Sequence, residues 1–319
     1  AAGPAAAEDG AGSGPPRAAG ELMSATVVFL HLVSPDKRDH AFPLAGHGHC
    51  QLKNFRDRRE RNMRYFGEML PIFNSKFLSR FPYPVTVFYS PFEGVEDDLG
   101  IIRGLLSATR VELVSLPSFG KDNFHAPLRH EYARYSNSCL MAELAQKAGE
   151  CPYDFAYKQM NYIFTYAMFF DTPALSKYRY WMRVDAEVKM LEVPEEDPFA
   201  VVARNGWMFS YDAVNPGHHC NKGLPQAIRD FAKLHGYEPE DREFYEDYLE
   251  RFVNYPGHIG IGDLSFFQSE RYKSMIEHIL RAGGIWKYRW DDQHIYAMAS
   301  ALFGSKAQVG KIPLKVEHR

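Results

Sequence analysis

The sequence predicts an α/β protein with a mixed, mostly parallel central sheet flanked by helices, and three observations carry that prediction. Residues 25–33 form one unbroken β-branched and aromatic run, the pattern of a strand covered on both faces. Two further apolar runs, 84–89 and 110–116, are separated from it and from each other by stretches of helical periodicity. The order strand, helix, strand, helix, strand implies parallel pairing, because parallel neighbours need a crossover between them.

Each element has its own signal. Between 54 and 80, Phe55, Met63, Phe66, Leu70, Phe73 and Phe77 recur at three-, four- and seven-residue steps among five arginines, as in an amphipathic helix. Residues 97–107 read as a second helix. Residues 127–171 carry two helical patterns, the second with Tyr157, Met160, Phe164 and Met168 on one side. The run 178–185 is a strand that ends in acid, and 206–211 is a shorter strand after a loop rich in proline and carboxylates. Helices are expected over 224–235, over 241–252 with a solvent-facing acidic surface, over 263–281 and over 292–303. His258-Ile-Gly260-Ile-Gly262-Asp263 reads as a tight turn before a helix capped by Asp263, and 317–319 as a tail.

Composition narrows the function classes. Of 319 residues 45% are apolar and 24% charged, so disordered and fibrous classes are excluded. A formal charge of −3 lacks the basic excess of a protein whose main partner is nucleic acid. No apolar stretch approaches the roughly 20 residues that span a bilayer. The first twenty residues are mostly Ala, Gly and Pro and begin without Met, which suggests a flexible leader over 1–22 in a processed chain, with one folded domain over 23–319. Cys50, Cys139, Cys151 and Cys220 allow two disulfides or four free thiols, and the count alone does not decide between them.

Candidate chemistry concentrates where the strand at 178–185 ends. Asp185 and Glu187 follow it one residue apart, and two carboxylates in one turn can ligate a hard divalent ion whose other sites go to diphosphate oxygens and water. A second region, 286–294, combines Trp286, Tyr288 and Trp290 with Asp291, Asp292 and His294, where aromatics and acids together suit carbohydrate. Asp291 or Asp292 is also placed to cap the following helix. His47, His49 and Cys50, with His218, His219 and Cys220, offer nitrogen and sulfur donors for zinc but without a ligand spacing that defines a site.

With these segments in hand the chain resembles the fungal Golgi α-1,2-mannosyltransferases, glycosyltransferase family 15. Tyr157-Lys-Gln-Met160 is similar to the family's Tyr-Arg-His-Met segment, and Tyr180-Trp-Met-Arg-Val-Asp185-Ala-Glu187-Val-Lys189 to its Tyr-Tyr-Trp-Arg-Val-Glu-Pro-Asp motif. Asp263-Leu-Ser-Phe-Phe-Gln-Ser, running on to Gly284, and Arg289-Trp-Asp-Asp292 resemble two further elements, the second being Arg-Trp-Gly-Asp in the family. The resemblance implies a GT-A fold in a single Rossmann-like domain, Mn²⁺, GDP-mannose as donor, a glycan or glycoprotein acceptor and retention of anomeric configuration. It also implies a Golgi-lumenal protein with a type II membrane anchor. By the same resemblance Asp185, Glu187 and His318 hold the metal, and Tyr157, Arg183 and Trp290 contact the donor. Asp292 then orients or deprotonates the acceptor hydroxyl.

One departure bears on mechanism. The family carries an Asn-Phe-Glu segment whose glutamate has been proposed as a nucleophile, and the corresponding residues here are His258, Ile259 and Gly260. Front-face displacement without a covalent intermediate is one consequence, and Asp263 or Asp292 standing in for the glutamate is another. A third is a different donor, such as a UDP-pentose or UDP-hexose. A binding module that has lost turnover is the reading outside the enzyme class.

Overall fold

The computed structural model describes residues 23–32, 55–107, 109–116, 160–217 and 221–318, with the side chains of 55–58 and 287 left aside. A seven-stranded sheet runs in the order β3-β2-β1-β4-β7-β6-β8. The strands are β1 (Ala25–His31), β2 (Val85–Tyr89), β3 (Val111–Ser115), β4 (Tyr180–Val184), β6 (Phe209–Tyr211), β7 (Ile259–Asp263) and β8 (Val309–Lys311). β5 (Val188–Met190) and β9 (Val316–His318) pair separately as an antiparallel ribbon. Every pairing in the main sheet is parallel except the two made by β7, so β7 alone runs against the rest.

The expected β-α-β-α-β opening is present. Helix α1 (Phe55–Phe73) links β1 to β2, and α2 (Val95–Leu105) links β2 to β3. α1 contains Pro71 and passes into a π-helical turn at Asn74–Leu78, which keeps Phe73, Phe77 and Leu78 on the sheet. Val27 and Phe29 pack toward α1, while Val28 faces the other layer, so β1 is covered on both sides.

α3 (Pro198–Asn205) packs on the α1 side through Phe199 and Val202, and the second layer holds α4 (Leu224–His235), α5 (Arg242–Glu250), α6 (Leu264–Phe267), α7 (Glu270–Ala282), α8 (Gly284–Tyr288) and α9 (Asp292–Phe303). The acidic helix α5 is not simply solvent-facing, since Phe244, Tyr245, Tyr248 and Leu249 are buried along one side. Residues 263–281 break at Gln268 into α6 and α7, because Ser269 caps a new helix by accepting from the Tyr272 N–H.

Two expectations fail. The turn expected at 258–263 is a central strand, although Asp263 does cap the helix after it. Its glycines misled the reading, and they are required by crowding: a Cβ on Gly262 would lie 2.4 Å from Trp181 Nε1 and 2.6 Å from Phe267 Cε2. The expected tail at 317–319 is β9 as far as His318, paired with β5 in the register Val188 to His318. The leader 1–22, both zinc candidates, all four cysteines and Tyr157 lie outside the described residues. No helix among the described residues is long and apolar enough to cross a membrane.

Candidate active site

β1 lies between β2 and β4, so the chain reverses its direction of winding between β1 and β4, and open α/β sheets bind ligands outside the carboxyl ends of strands at such a point. Asp185 follows β4 there. Its N–H donates to the His258 carbonyl (2.9 Å), and its own carbonyl accepts from the Val188 N–H (3.0 Å), which closes a turn displaying Asp185, Ala186 and Glu187. Because Val188 is the register partner of His318, the β5–β9 ribbon carries His318 to the same turn. His318 is exposed, and its ring stacks on that of His258 at 4.8 Å between centroids.

Arg183 connects this turn to the buried interior. Its Nε donates to Asp185 Oδ1 (2.8 Å), its Nη2 to Asp185 Oδ2 (3.2 Å) and its Nη1 to Asp292 Oδ2. The guanidinium lies 3.4 Å above the Phe164 ring, a cation–π contact in a desolvated setting. Gly257 passes so close that a Cβ there would come 2.8 Å from Arg183 Nη1. Since every nitrogen of this guanidinium already serves a carboxylate, Arg183 is a bridge between two acids. These hydrogen bonds direct the guanidinium at Asp185 and Asp292, and none of them is a contact with the donor that the resemblance implies for Arg183.

Asp292 is 1% exposed in the first turn of α9. Burial pushes its carboxyl up to about 6 against the attraction of Arg183, with the Asp291 and Asp185 charges adding to the rise. Asp291 is the helix cap, accepting from the His294 N–H (3.0 Å). The His294 ring nitrogen Nδ1 stands 2.6 Å from the same oxygen, and Asn221 Nδ2 donates to the other at 3.1 Å. Burial works against the Asp291 charge, yet the His294 contacts and nearby Arg289 hold its carboxyl below the usual range. Two adjacent acids thus sit in opposite electrostatic settings.

Two other candidates fall away from this site. Asp263 is the register partner of Tyr180 at the far end of β4, roughly 16 Å from Asp185 at the usual rise per strand residue. There it accepts from the Ser265 N–H (2.8 Å) and pairs with Arg179 (2.7 Å), so it is a cap and not a catalytic group. Trp290 is buried, its Nε1 donates to the Lys222 carbonyl (2.9 Å), and its ring occupies the space that a Cβ on Gly284 would need. It packs the loop before α9 and offers no free face to a donor.

Asp212 was not foreseen. It follows β6, and its Oδ2 lies 3.2 Å from His258 Nε2. Only the antiparallel course of β7 brings the two together. Glu187 is pushed up by burial first and by Asp185 second, whereas His258 is pulled down by burial and by His318. Among the described residues no three His, Cys, Asp or Glu side chains are already gathered as a metal centre. The donor set nevertheless fits a divalent cation in kind: two carboxylates on one turn, and an imidazole set against that turn by strand register.

Fold and site together define a GT-A glycosyltransferase architecture, with acids at the carboxyl end of a central strand. A family model described as "Glycolipid 2-alpha-mannosyltransferase" matches residues 58–313, and the chain belongs to that family. Among solved structures, core-mannan synthase A (CmsA/Ktr4) from Aspergillus fumigatus, in its Mn/GDP form, superposes with a TM-score of 0.70 at 16% identity, covering 95% of this chain and 77% of that one. Ktr4p of Saccharomyces cerevisiae in complex with GDP gives 0.68 at 18% identity, covering 93% and 71%. The probable mannosyltransferase KTR4 of S. cerevisiae is 22% identical over 253 residues, 73% of this chain and 52% of its own length. The O-glycoside alpha-1,2-mannosyltransferase omh1 of Schizosaccharomyces pombe is 23% identical over 158 residues, 46% of this chain and 39% of its own length. The chain therefore spans about half or less of these curated relatives.

Proposed function

We propose that this chain is a mannosyltransferase that moves mannose from GDP-mannose to a glycan hydroxyl with retention, using Mn²⁺, in the Golgi lumen under a type II membrane anchor. The observation that carries this reading is the acid-bearing turn after β4, braced from behind by the buried Arg183–Asp292 pair, in a chain of this family. That two similar structures are described with GDP, one of them with Mn, supports the choice of nucleotide and ion.

Asp185, Glu187 and His318 would hold the cation. When bound, it offsets the charge that develops on the departing diphosphate. Arg183 fixes the plane of the Asp185 carboxylate through two hydrogen bonds, and Asp292 fixes Arg183. Sealed under the guanidinium, Asp292 acts here as a positioning residue. Its raised pKa keeps the proton-accepting role open to a conformation in which the acceptor reaches it.

Front-face displacement accounts best for retention. Position 260 carries no side chain, and the space a carboxylate would need is taken by the Phe209 ring, 2.8 Å from where a Cβ would stand. In such a step the bond from the anomeric carbon to GDP breaks while the bond to the acceptor oxygen forms on the same face. The acceptor proton leaves with a diphosphate oxygen.

A thermal-shift panel of GDP- and UDP-sugars with and without Mn²⁺, on the wild type and on Asp185→Asn, tests the reading. Mn²⁺-dependent stabilisation by GDP-mannose is expected, about 2.7 kcal/mol at a hundred times the dissociation constant, and it should vanish in the variant. Stabilisation by UDP-sugars alone would overturn the donor, and a full response in Asp185→Asn the metal site; a transfer assay with anomer analysis of the product tests the stereochemistry, which an inverted anomer would overturn.

A further inference from the structure

We infer that His258 is an additional nitrogen ligand of the cation, oriented by Asp212, and that it shifts the site's preference toward metals that favour imidazole. This rests on the reading above and concerns the ion that the same turn would hold.

Four observations converge. His258 is fixed beside the acid turn by its own backbone, because its carbonyl accepts from the Asp185 N–H at 2.9 Å. Its ring lies 4.8 Å from that of His318 with 26° between the planes, so the two imidazoles stack on each other, His318 being carried there by its register with Val188. Its Nε2 lies 3.2 Å from Asp212 Oδ2, and a neutral ring that donates from Nε2 to a carboxylate keeps the lone pair on Nδ1. Finally, the resemblance aligns His258 with an asparagine, a weaker donor without an aromatic nitrogen.

A carboxylate behind an imidazole is the arrangement that fixes the tautomer and direction of a metal-binding histidine and raises its basicity. The alternative, two imidazoles packed only for burial, leaves the Asp212 carboxylate without a purpose at that spot. With His258 included, the donors are two imidazoles and two carboxylates. Imidazole nitrogen favours Co²⁺ and Zn²⁺ over Mn²⁺ more strongly than carboxylate oxygen does. Such a site still accepts Mn²⁺, since all its oxygens remain. Its selectivity moves along the divalent series.

Isothermal titration of Co²⁺ and Mn²⁺ in the presence of GDP, with the visible d–d absorption of bound Co²⁺ as a second signal, decides the matter. The proteins are the wild type, His258→Asn, His258→Gln, Asp212→Asn and Asp185→Asn, each checked for an unchanged circular dichroism spectrum. His258→Asn and His258→Gln should weaken Co²⁺ binding by about tenfold or more and alter its absorption bands, with a smaller loss for Mn²⁺; Asp212→Asn should weaken Co²⁺ by about 10–100-fold. Wild-type Co²⁺ affinity and spectrum in both His258 variants, with both metals lost in Asp185→Asn, would remove His258 from the site and leave the proposed function standing. Unchanged binding of both metals in Asp185→Asn would sink the cation site itself, and this inference with it.

Discussion

At position 260 a backbone atom decides what chemistry the site can host. A Cβ on Gly260 would stand 2.8 Å from Phe209 Cζ and 3.0 Å from the Ser210 carbonyl oxygen, and Phe209 is itself held by stacking on Tyr255 at 5.5 Å. Gly260→Glu is therefore expected to destabilise the fold by about 1–3 kcal/mol through overpacking, before any cost of burying a carboxylate. Chemical denaturation measures this, and adding Phe209→Ala should recover part of the loss if the ring is the obstacle. A single Gly260→Glu variant as stable as the wild type would mean that the ring yields freely. Residue chemistry in this region was unevenly legible from sequence. Asp185 was recognisable because a hydrophobic strand visibly ran into it. Asp263 was misread as catalytic because nothing in Ile-Gly-Ile-Gly reveals that the strand runs backwards and delivers its acid to the opposite end. His258 and Asp212, 46 positions apart, meet only through that reversal.

Between single residues and the whole sheet stands a triad, two of its members buried and the third half-buried, that ties three elements together. His31 ends β1, Asp98 lies in α2 and Arg59 in α1. His31 Nε2 is 3.0 Å from Asp98 Oδ2, and Arg59 donates to the same carboxylate through Nε (2.8 Å) and Nη2 (2.7 Å). His31 Nδ1 is buried with no hydrogen-bond partner among the described residues, as suits a neutral ring that donates from Nε2. Burial lowers the His31 pKa below its usual 6.5 despite the pull of Asp98. The unfolded chain thus takes up a proton near pH 6.5 that the folded chain refuses. This contribution to stability is full above about 6.5 and is lost as pH falls toward and through the lowered folded value. Denaturant melts between pH 8 and 5 should show the decline, and His31→Phe should flatten it; an identical slope in that variant would assign the decline elsewhere. β1 to β4 were legible because β-branched and aromatic runs need no partner to be recognised. β5, β8 and β9 were not, since three residues carry no period and their pairing is a tertiary event.

For the molecule as a whole, the site is assembled from segments far apart in the chain: Asp185 after β4, His258 before β7, Asp292 on α9 and His318 on β9. The β9 contribution is the easiest to isolate. Val316 is half-buried, and Glu317 and His318 are exposed, while Ile312 and Leu314 just before them are buried in the core. A variant ending at Lys315 should therefore keep most of its thermal stability and lose Mn²⁺-dependent binding of GDP, as thermal shift and titration would register. Retained metal-dependent binding would exclude β9 from the site. The run of close approaches just before and along β7 reaches further than stability. Gly257 abuts Arg183, Gly260 abuts Phe209 and Gly262 abuts Trp181, so each glycine is held in place by a large neighbour. Placing an acid at 260 requires first shrinking a ring that fills useful space, and either change made alone is harmful. The strand is thus locked by its own packing, and new activities are more readily gained by changes in the turn and ribbon at the rim than in the strand beneath them.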